Sequence, residues 1–131
     1  MSAIHRGSCL CGSVKFEVAG ELGPSDACHC VQCRKQSGHY FASANVKRAA
    51  LRVTGEGQVR WYQSSAKVRR GFCSVCGSTL FWDPLSDKYD WTSIAMGALD
   101  TPTGVMLQHH IFAAEKGDYY AIADGLPQNS H

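Results

Sequence analysis

Short runs in which apolar and polar residues alternate make up most of the chain. In segment 13–18, valine and phenylalanine alternate with serine, lysine and glutamate, which is the period-2 pattern of a strand buried on one face. Further short runs, mostly alternating, occupy 40–46, 50–54, 59–63, 68–72, 79–82, 91–96 and 108–113. Strands this short, separated by turns, indicate an all-β sandwich or barrel.

Two segments depart from the strand pattern. Residues 33–37 contain arginine, lysine and glutamine, which favour helix, and Gly38 follows as a possible cap, so we expect one helical turn there. Residues 21–26 contain Gly23 and Pro24 and are predicted to form a turn. There is no internal repeat, low-complexity tract or linker, so we expect a single domain over 1–131 with a core of about 7–127.

Composition and charge narrow the function classes. The chain has 131 residues, 44% hydrophobic and 18% charged, as expected for one globular domain. A net charge of +2 does not favour nucleic-acid binding. The densest basic stretch is Lys67, Arg69 and Arg70, which we interpret as a solvated strand face rather than a carboxylate-binding site.

The chain also has no sign of a membrane or secretory segment. The first seven residues have no apolar run, and no later stretch is apolar for long enough to span a bilayer. We therefore predict a cytoplasmic protein without a membrane partner, in a compartment where thiols stay reduced.

Seven cysteines carry the candidate chemistry, in three groups. Cys9 and Cys11 form C-x-C, Cys28, Cys30 and Cys33 form C-x-C-x-x-C, and Cys73 and Cys76 form C-x-x-C. The odd number argues against a complete disulfide framework. Thiolates two or three residues apart beside a glycine are spaced to bind one soft metal ion, and zinc is the usual occupant of such sites. An iron–sulfur cluster is the less favoured alternative.

Ligand number then separates two kinds of site. If the first pair joins the last pair, four thiolates form a saturated structural site, and the triplet of Cys28, Cys30 and Cys33 remains for a second zinc with one open position. The alternative is a structural triplet closed by His29 or His39. His29 is expected to point away, because side chains alternate along an extended C-x-C segment. A thioredoxin-like redox role for Cys73 and Cys76 is disfavoured, since a short strand follows them instead of a helix.

The cysteine motifs lie in a longer pattern. Gly7-Ser-Cys9-Leu-Cys11-Gly12-Ser-Val14-Lys-Phe16, Cys28-His29-Cys30-x-x-Cys33-Arg34 and Phe72-Cys73-x-x-Cys76-Gly77-Ser78 resemble the family of glutathione-dependent formaldehyde-activating enzymes, which also includes centromere protein V. The resemblance extends to the tail Asp124-Gly125-Leu126-Pro127. It implies a mainly β fold, a β-tent of small stacked antiparallel sheets stapled by zinc. It also implies two zinc ions, one structural on Cys9, Cys11, Cys73 and Cys76, and one catalytic on Cys28, Cys30 and Cys33.

The resemblance implies a carbon–sulfur lyase whose partner is a small thiol such as glutathione and whose electrophile is an aldehyde such as formaldehyde. Zinc held by three thiolates favours a sulfur ligand in its open position. Arg34 follows the last ligand and is a candidate for offsetting thiolate charge or binding a substrate carboxylate, and Ser37 and His39 are candidate proton carriers. Two alternatives remain: a non-catalytic zinc module that binds a protein or nucleic acid, and a carrier that shields the aldehyde without turning it over.

Overall fold

The computed structural model describes residues 3–131, and within them the protein is mainly β. One short helix and four single 3-10 turns, at Arg48–Ala50, Glu56–Gln58, Met96–Ala98 and Ala113–Glu115, accompany ten strands. The elements are β1 (Ile4–Ser8), β2 (Lys15–Ala19), β3 (Ser25–Cys28), α1 (Val31–Ser37), β4 (Phe41–Lys47), β5 (Leu51–Thr54), β6 (Val59–Gln63), β7 (Val68–Cys73), β8 (Thr79–Pro84), β9 (Trp91–Ala95) and β10 (His109–Ile111).

The strands form two sheets. The small sheet has the order β1-β2-β5, and the large sheet has the order β10-β3-β4-β9-β8-β7-β6. Their pairings are antiparallel except the pairing of β10 with β3, which is parallel and aligns Ile111 with Cys28. The predicted class, mainly β with small stacked antiparallel sheets, is confirmed.

The main core lies between the two sheets. Because side chains alternate along β2, Phe16 and Val18 point inward. They belong to one core cluster with Leu80, Phe81 and Ile94 of the large sheet, and all five side chains are nearly inaccessible to solvent. Burial of each such side chain contributes about 1.5–3 kcal/mol. The close approach of β1 to Phe16 and Ala98 requires glycine at position 7. A Cβ there would lie 2.4 Å from Phe16 Cζ and 2.5 Å from the Ala98 carbonyl oxygen.

The other face of the large sheet carries the candidate chemistry. Because side chains alternate along each strand, the neighbours of core residues point to this face. A row of aligned positions crosses β7, β8, β9 and β4: Arg70 pairs with Trp82, Trp82 with Ser93, and Ser93 with Asn45. Cys28 and Phe41 form the adjacent pair between β3 and β4.

The predicted elements mostly agree with the observed ones. The strand at 59–63 is reproduced residue for residue, and the other predicted strands overlap their observed counterparts with ends shifted by at most two residues. The predicted helical turn over 33–37 matches the last five of the seven residues of α1, and Gly38 caps it with a left-handed conformation, φ 91°. The helix begins earlier than predicted because the Cys30 side chain is its N-cap and accepts a hydrogen bond from Cys33 N.

Two expectations need correction. The predicted turn over 21–26 ends early, because Ser25 and Asp26 already belong to β3, where Ser25 is buried. Strand β1 was absent from the prediction, since Ile4–Ser8 has too few apolar residues to show alternation. Its place is set by antiparallel pairing with all five residues of β2, which is a tertiary contact rather than a local preference.

Candidate metal centres and active site

Four cysteines from two distant turns meet at the first cluster. The Sγ atoms of Cys9, Cys11, Cys73 and Cys76 lie within 4.8 Å of one another, and Cys11 Sγ is 3.8 Å from Cys73 Sγ. Gly12 and Gly77 both have φ of 82°, which lets each turn bend back toward the sulfur atoms. The hydroxyl of Ser78 is the main cause that lowers the pKa of Cys76 to about 5. This four-sulfur set is chemically suited to a closed tetrahedral site.

The second cluster is the triplet. Cys28 ends β3, Cys30 caps α1 and Cys33 lies in its first turn, so that their Sγ atoms also lie within 4.8 Å of one another. Hydrogen bonds from Cys28 and Cys33 lower the pKa of Cys30 to about 2, while the same sulfur contacts raise the pKa of Cys28 far above its usual range. One thiol of the cluster therefore ionises easily, whereas ionisation of a second thiol is unfavourable. A soft divalent cation would allow all three thiols to ionise, so the donor set fits zinc.

All seven cysteines are free thiols. The two groups of cysteines that the sequence predicts as metal ligands thus come together in space as free thiols, and the identity of the metal remains a prediction.

Neither histidine near the triplet closes it. His29 turns away from the sulfur atoms, in agreement with the extended C-x-C geometry, and is fully buried. His39 is exposed, and its Nδ1 lies 2.6 Å from the hydroxyl of Tyr119. Within residues 3–131, the group of close ligand atoms at the triplet contains the three cysteines alone.

His29 instead belongs to a chain of hydrogen bonds. Nε2 of His29 lies 2.8 Å from Nδ1 of His110, and Nε2 of His110 lies 2.8 Å from Oδ2 of Asp124. On the other side of its ring, Nδ1 of His29 contacts the hydroxyl of Tyr120. Burial is the main cause that lowers the pKa of His29, which keeps the ring neutral. With Asp124 accepting from His110, one consistent set of tautomers follows: Tyr120 donates to His29, His29 to His110, and His110 to Asp124.

Arg70 is the charged side chain of the triplet site. It is 4% exposed, and its guanidinium donates to Cys33 Sγ at 3.5 Å and to Gln32 Oε1 at 3.4 Å. The interpretation of the basic stretch as a solvated face is therefore wrong for Arg70. Its neighbour Arg69 points to the opposite face, where it lies over the Trp61 ring at 3.8 Å and donates to Asp83. A zinc ion with three thiolates has a net charge of −1, which Arg70 would neutralise.

The other predicted site residues lie at the edge of this arrangement. Arg34 donates from Nε to the Glu115 carbonyl oxygen at 3.0 Å, which ties α1 to the C-terminal segment. Ser37 donates to the Cys33 carbonyl oxygen at 2.6 Å. Arg34, Ser37 and His39 are outside the lining of the cavity at the triplet, so their roles in substrate binding and proton transfer stay predictions.

A cavity of about 810 Å³ opens beside the three sulfur atoms. Its polar lining includes Asp26, Ser43, Asn45, Arg70, Ser93 and Glu115, and its apolar lining is mostly aromatic. Burial raises the pKa of Asp26. Residues 111–115 form one wall, and there Phe112 adopts a left-handed conformation, φ 54°, that places its side chain on the cavity. A concave apolar cavity with a few polar groups next to a reactive centre is typical of small-molecule sites.

Comparison with known proteins identifies the family. The profile described as "glutathione-dependent formaldehyde-activating enzyme" matches residues 4–115, which include all seven cysteines and the whole cavity lining. The chain belongs to this family. The family assignment agrees with the resemblance of the three cysteine motifs.

Two relatives of this family member are informative. An uncharacterized lyase of Schizosaccharomyces pombe is 30% identical over 78 residues, which are 60% of this chain and 56% of the yeast protein. The chain thus spans little more than half the length of the curated relative it matches. A crystal structure of a Rhodobacter sphaeroides protein superposes with a TM-score of 0.61 at 26% identity, covering 77% of this chain and 90% of that one. In residues 3–131 of this family member, no helix is long and apolar enough to cross a membrane.

Two features of this family member were not predicted from its sequence. Arg70 could have been assigned to the interior, because it shares strand parity with the apolar Val68 while Lys67 and Arg69 do not. The link of His29 to His110 and Asp124 had no comparable local signal, since 81 residues separate the two histidines. The only hint was the presence of Asp124 in the tail motif.

Proposed function

We propose that the protein is a zinc-dependent carbon–sulfur lyase that forms or cleaves the adduct of a small thiol and an aldehyde, in the manner of its family. The observation that supports this proposal is that the three-cysteine cluster opens on the cavity and, among residues 3–131, has no histidine as a fourth ligand. The four-cysteine cluster is the structural counterpart and the triplet the catalytic one. A triplet closed by a protein side chain would have favoured a binding module instead.

The reaction needs no other reactant. In the cleavage direction the C–S bond breaks and its electron pair stays on sulfur, while the adduct hydroxyl loses its proton and becomes the aldehyde carbonyl. The sulfur then takes up a proton to give the free thiol, and the reverse sequence forms the adduct. Bound zinc would supply a Lewis-acidic centre with affinity for sulfur, which stabilises a thiolate at neutral pH.

The residues of the chain position and shield this chemistry. Arg70 places positive charge beside Cys33, next to the group of three sulfur atoms. Gln32 and Ser64 hold the guanidinium in place. Ile111, Phe112 and Glu115 line the cavity on one side of the triplet. These groups are fixed before the substrate arrives, so little reorganisation accompanies the reaction.

An exchange measurement tests the proposal. Two-dimensional NMR exchange spectroscopy of glutathione with formaldehyde gives the rate at which the adduct forms and breaks, with and without zinc-loaded protein. We expect the protein to raise this rate above the spontaneous one, Cys30→Ser to remove the increase, and Lys35→Ala, an exposed change on the same helix, to preserve it. A zinc-loaded protein that binds thiol without any rate increase is a carrier, and one that binds no thiol is a binding module.

A further inference from the structure

The cavity at the triplet is poorly matched to glutathione by charge. At neutral pH, glutathione carries two carboxylates and one ammonium group. The cavity lining offers one cation, Arg70, whose guanidinium already contacts Cys33, Gln32 and Ser64. Two of the lining residues, Asp26 and Glu115, are acidic and would repel the carboxylates of the peptide. The pocket therefore lacks the cationic groups that would fix this peptide by its ends.

The same cavity is well matched to an apolar ring. Trp82 packs against the cluster of Cys33 and Phe41, directly beside the triplet. Trp91 lies parallel to it, with ring centroids 5.8 Å apart and an interplanar angle of 10°, and Tyr89 contacts Trp91 edge-on at 5.8 Å. Trp82 and Trp91 both line the cavity, whereas Tyr89 supports Trp91 from outside the lining and is 47% exposed. We call Trp82 and Trp91 the aromatic wall.

A one-carbon electrophile adds no apolar group that could contact the aromatic wall. Formaldehyde adds a single hydroxymethyl group to sulfur, which is far smaller than a cavity of about 810 Å³. Apolar side chains at a binding site contribute affinity in proportion to the apolar area that a ligand removes from water. Phe41, Val68 and Phe112 also line the cavity, so a bulky apolar group could be enclosed on several sides.

We propose that the substrate is a thiol adduct whose C–S carbon carries an apolar group the size of an aromatic ring or larger, which packs against the aromatic wall. This inference rests on the proposed function and narrows its substrate class. Sulfur lies at the triplet, and the apolar group contacts Trp82 and Trp91. The adduct hydroxyl faces the polar lining residues Ser43, Asn45 and Ser93. The bond changes are those of the lyase reaction above, with an apolar aldehyde in place of formaldehyde.

Calorimetric titration of the zinc-loaded protein with three thiols tests the inference without requiring turnover. The probes are phenylmethanethiol, 2-mercaptoethanol and glutathione. We expect phenylmethanethiol to bind at least about tenfold more tightly than either of the others, because its ring is removed from water by the wall. Affinity for glutathione equal to or above that for phenylmethanethiol would overturn the inference.

Matched tryptophan variants locate the effect. Trp91→Leu and Trp82→Leu should each weaken binding of phenylmethanethiol about fivefold or more and leave binding of 2-mercaptoethanol unchanged. Trp61→Leu is the control, because Trp61 stacks on Phe81 and lies outside the cavity lining. If Trp82→Leu fails to fold, Trp91→Leu, at the outer end of β9, decides the question. An equal loss in Trp61→Leu and Trp91→Leu contradicts the inference.

The outcomes also separate the two proposals. If 2-mercaptoethanol and glutathione bind as tightly as phenylmethanethiol, the aromatic ring adds no affinity, and the substrate class alone is overturned. Absence of binding by all three thiols overturns the proposed function, and the substrate class with it.

Discussion

Nε2 of His29 lies 2.8 Å from Nδ1 of His110, which joins the middle residue of the C-x-C segment to a strand more than eighty residues later. Both rings are almost completely buried, at 0% and 3% exposure. The pair fixes the backbone between Cys28 and Cys30, because His29 N–H also donates to the Ile111 carbonyl oxygen at 3.1 Å. The orientation of two triplet sulfurs thus depends on the C-terminal quarter of the chain.

Replacing His110 tests this dependence. His110→Ala leaves a buried N–H of His29 without its acceptor, and we expect a loss of about 1–3 kcal/mol in the free energy of unfolding, plus a further loss from the cavity created. The control is His109→Ala, at a half-exposed neighbour on the same strand. Urea denaturation of both zinc-loaded variants measures the difference. Equal stability of the two variants would show that the histidine pair contributes nothing.

The two cysteine clusters should respond differently to the loss of one ligand. Elemental analysis of the purified protein should find two zinc ions per chain. Cys30→Ala should lose one ion and largely keep its circular dichroism spectrum, because the core between the sheets does not depend on the triplet and only the N-cap of the seven-residue helix α1 is lost. Cys76→Ala should unfold or precipitate, since zinc binding at a structural site supplies about 10–16 kcal/mol of folding free energy. Equal damage by the two changes would refute the assignment of structural and catalytic roles.

Arg70 should control the affinity of the triplet for metal. Its charge and its hydrogen bond to Cys33 both favour the thiolate form. We expect Arg70→Gln to weaken zinc binding at this cluster about 10–100-fold, as outer groups at metal sites commonly do. Chelator competition followed by elemental analysis measures the affinity of each cluster.

Arg69→Gln is the matched control for Arg70, because Arg69 is the next residue but faces Trp61 and Asp83. Its zinc affinity at the triplet should equal that of the unchanged protein. A comparable loss of affinity in both variants would mean that the effect comes from strand β7 as a whole and not from the guanidinium at Cys33.

The hydrogen bond from His110 to Asp124 predicts a pH dependence. The hydrogen bond from His110 is the main cause that lowers the pKa of Asp124 below its ordinary value of 3.8. The carboxylate therefore stabilises the fold at pH above 3.8, and this stabilisation is lost as the pH falls through the lower pKa of the folded state. Asp124→Asn lacks this contribution at every pH.

The stability difference between the unchanged protein and Asp124→Asn should accordingly be constant from about pH 7 to about pH 5 and should narrow below about pH 4. Urea titrations at each pH measure it. A difference that widens with acidity would show that the carboxylate opposes folding.

The sequence predicted those features that depend on local spacing. The triplet spans six residues, and its grouping follows from the length of the segment alone. The strand Val59–Gln63 and the cap at Gly38 likewise follow from alternation and from the freedom of glycine at positive φ. Strand β1 depends on its partner β2, so it cannot be read from neighbouring residues. The parity of β7 indicates the direction in which Arg70 points, but its contact with Gln32 depends on α1 packing over the sheet, which has no local signal.

Because β10 pairs with β3 from far along the chain, the triplet is synthesised well before the residues that enclose it. Every cysteine has left the ribosome once residue 76 has emerged, so both sulfur sets are complete while Ile111, Phe112 and Glu115 are still inside the tunnel or not yet synthesised. Until those residues arrive, the triplet of the nascent chain lacks one side of its enclosure. Metal delivery during translation would therefore protect these thiols from oxidation at the stage when they are most accessible.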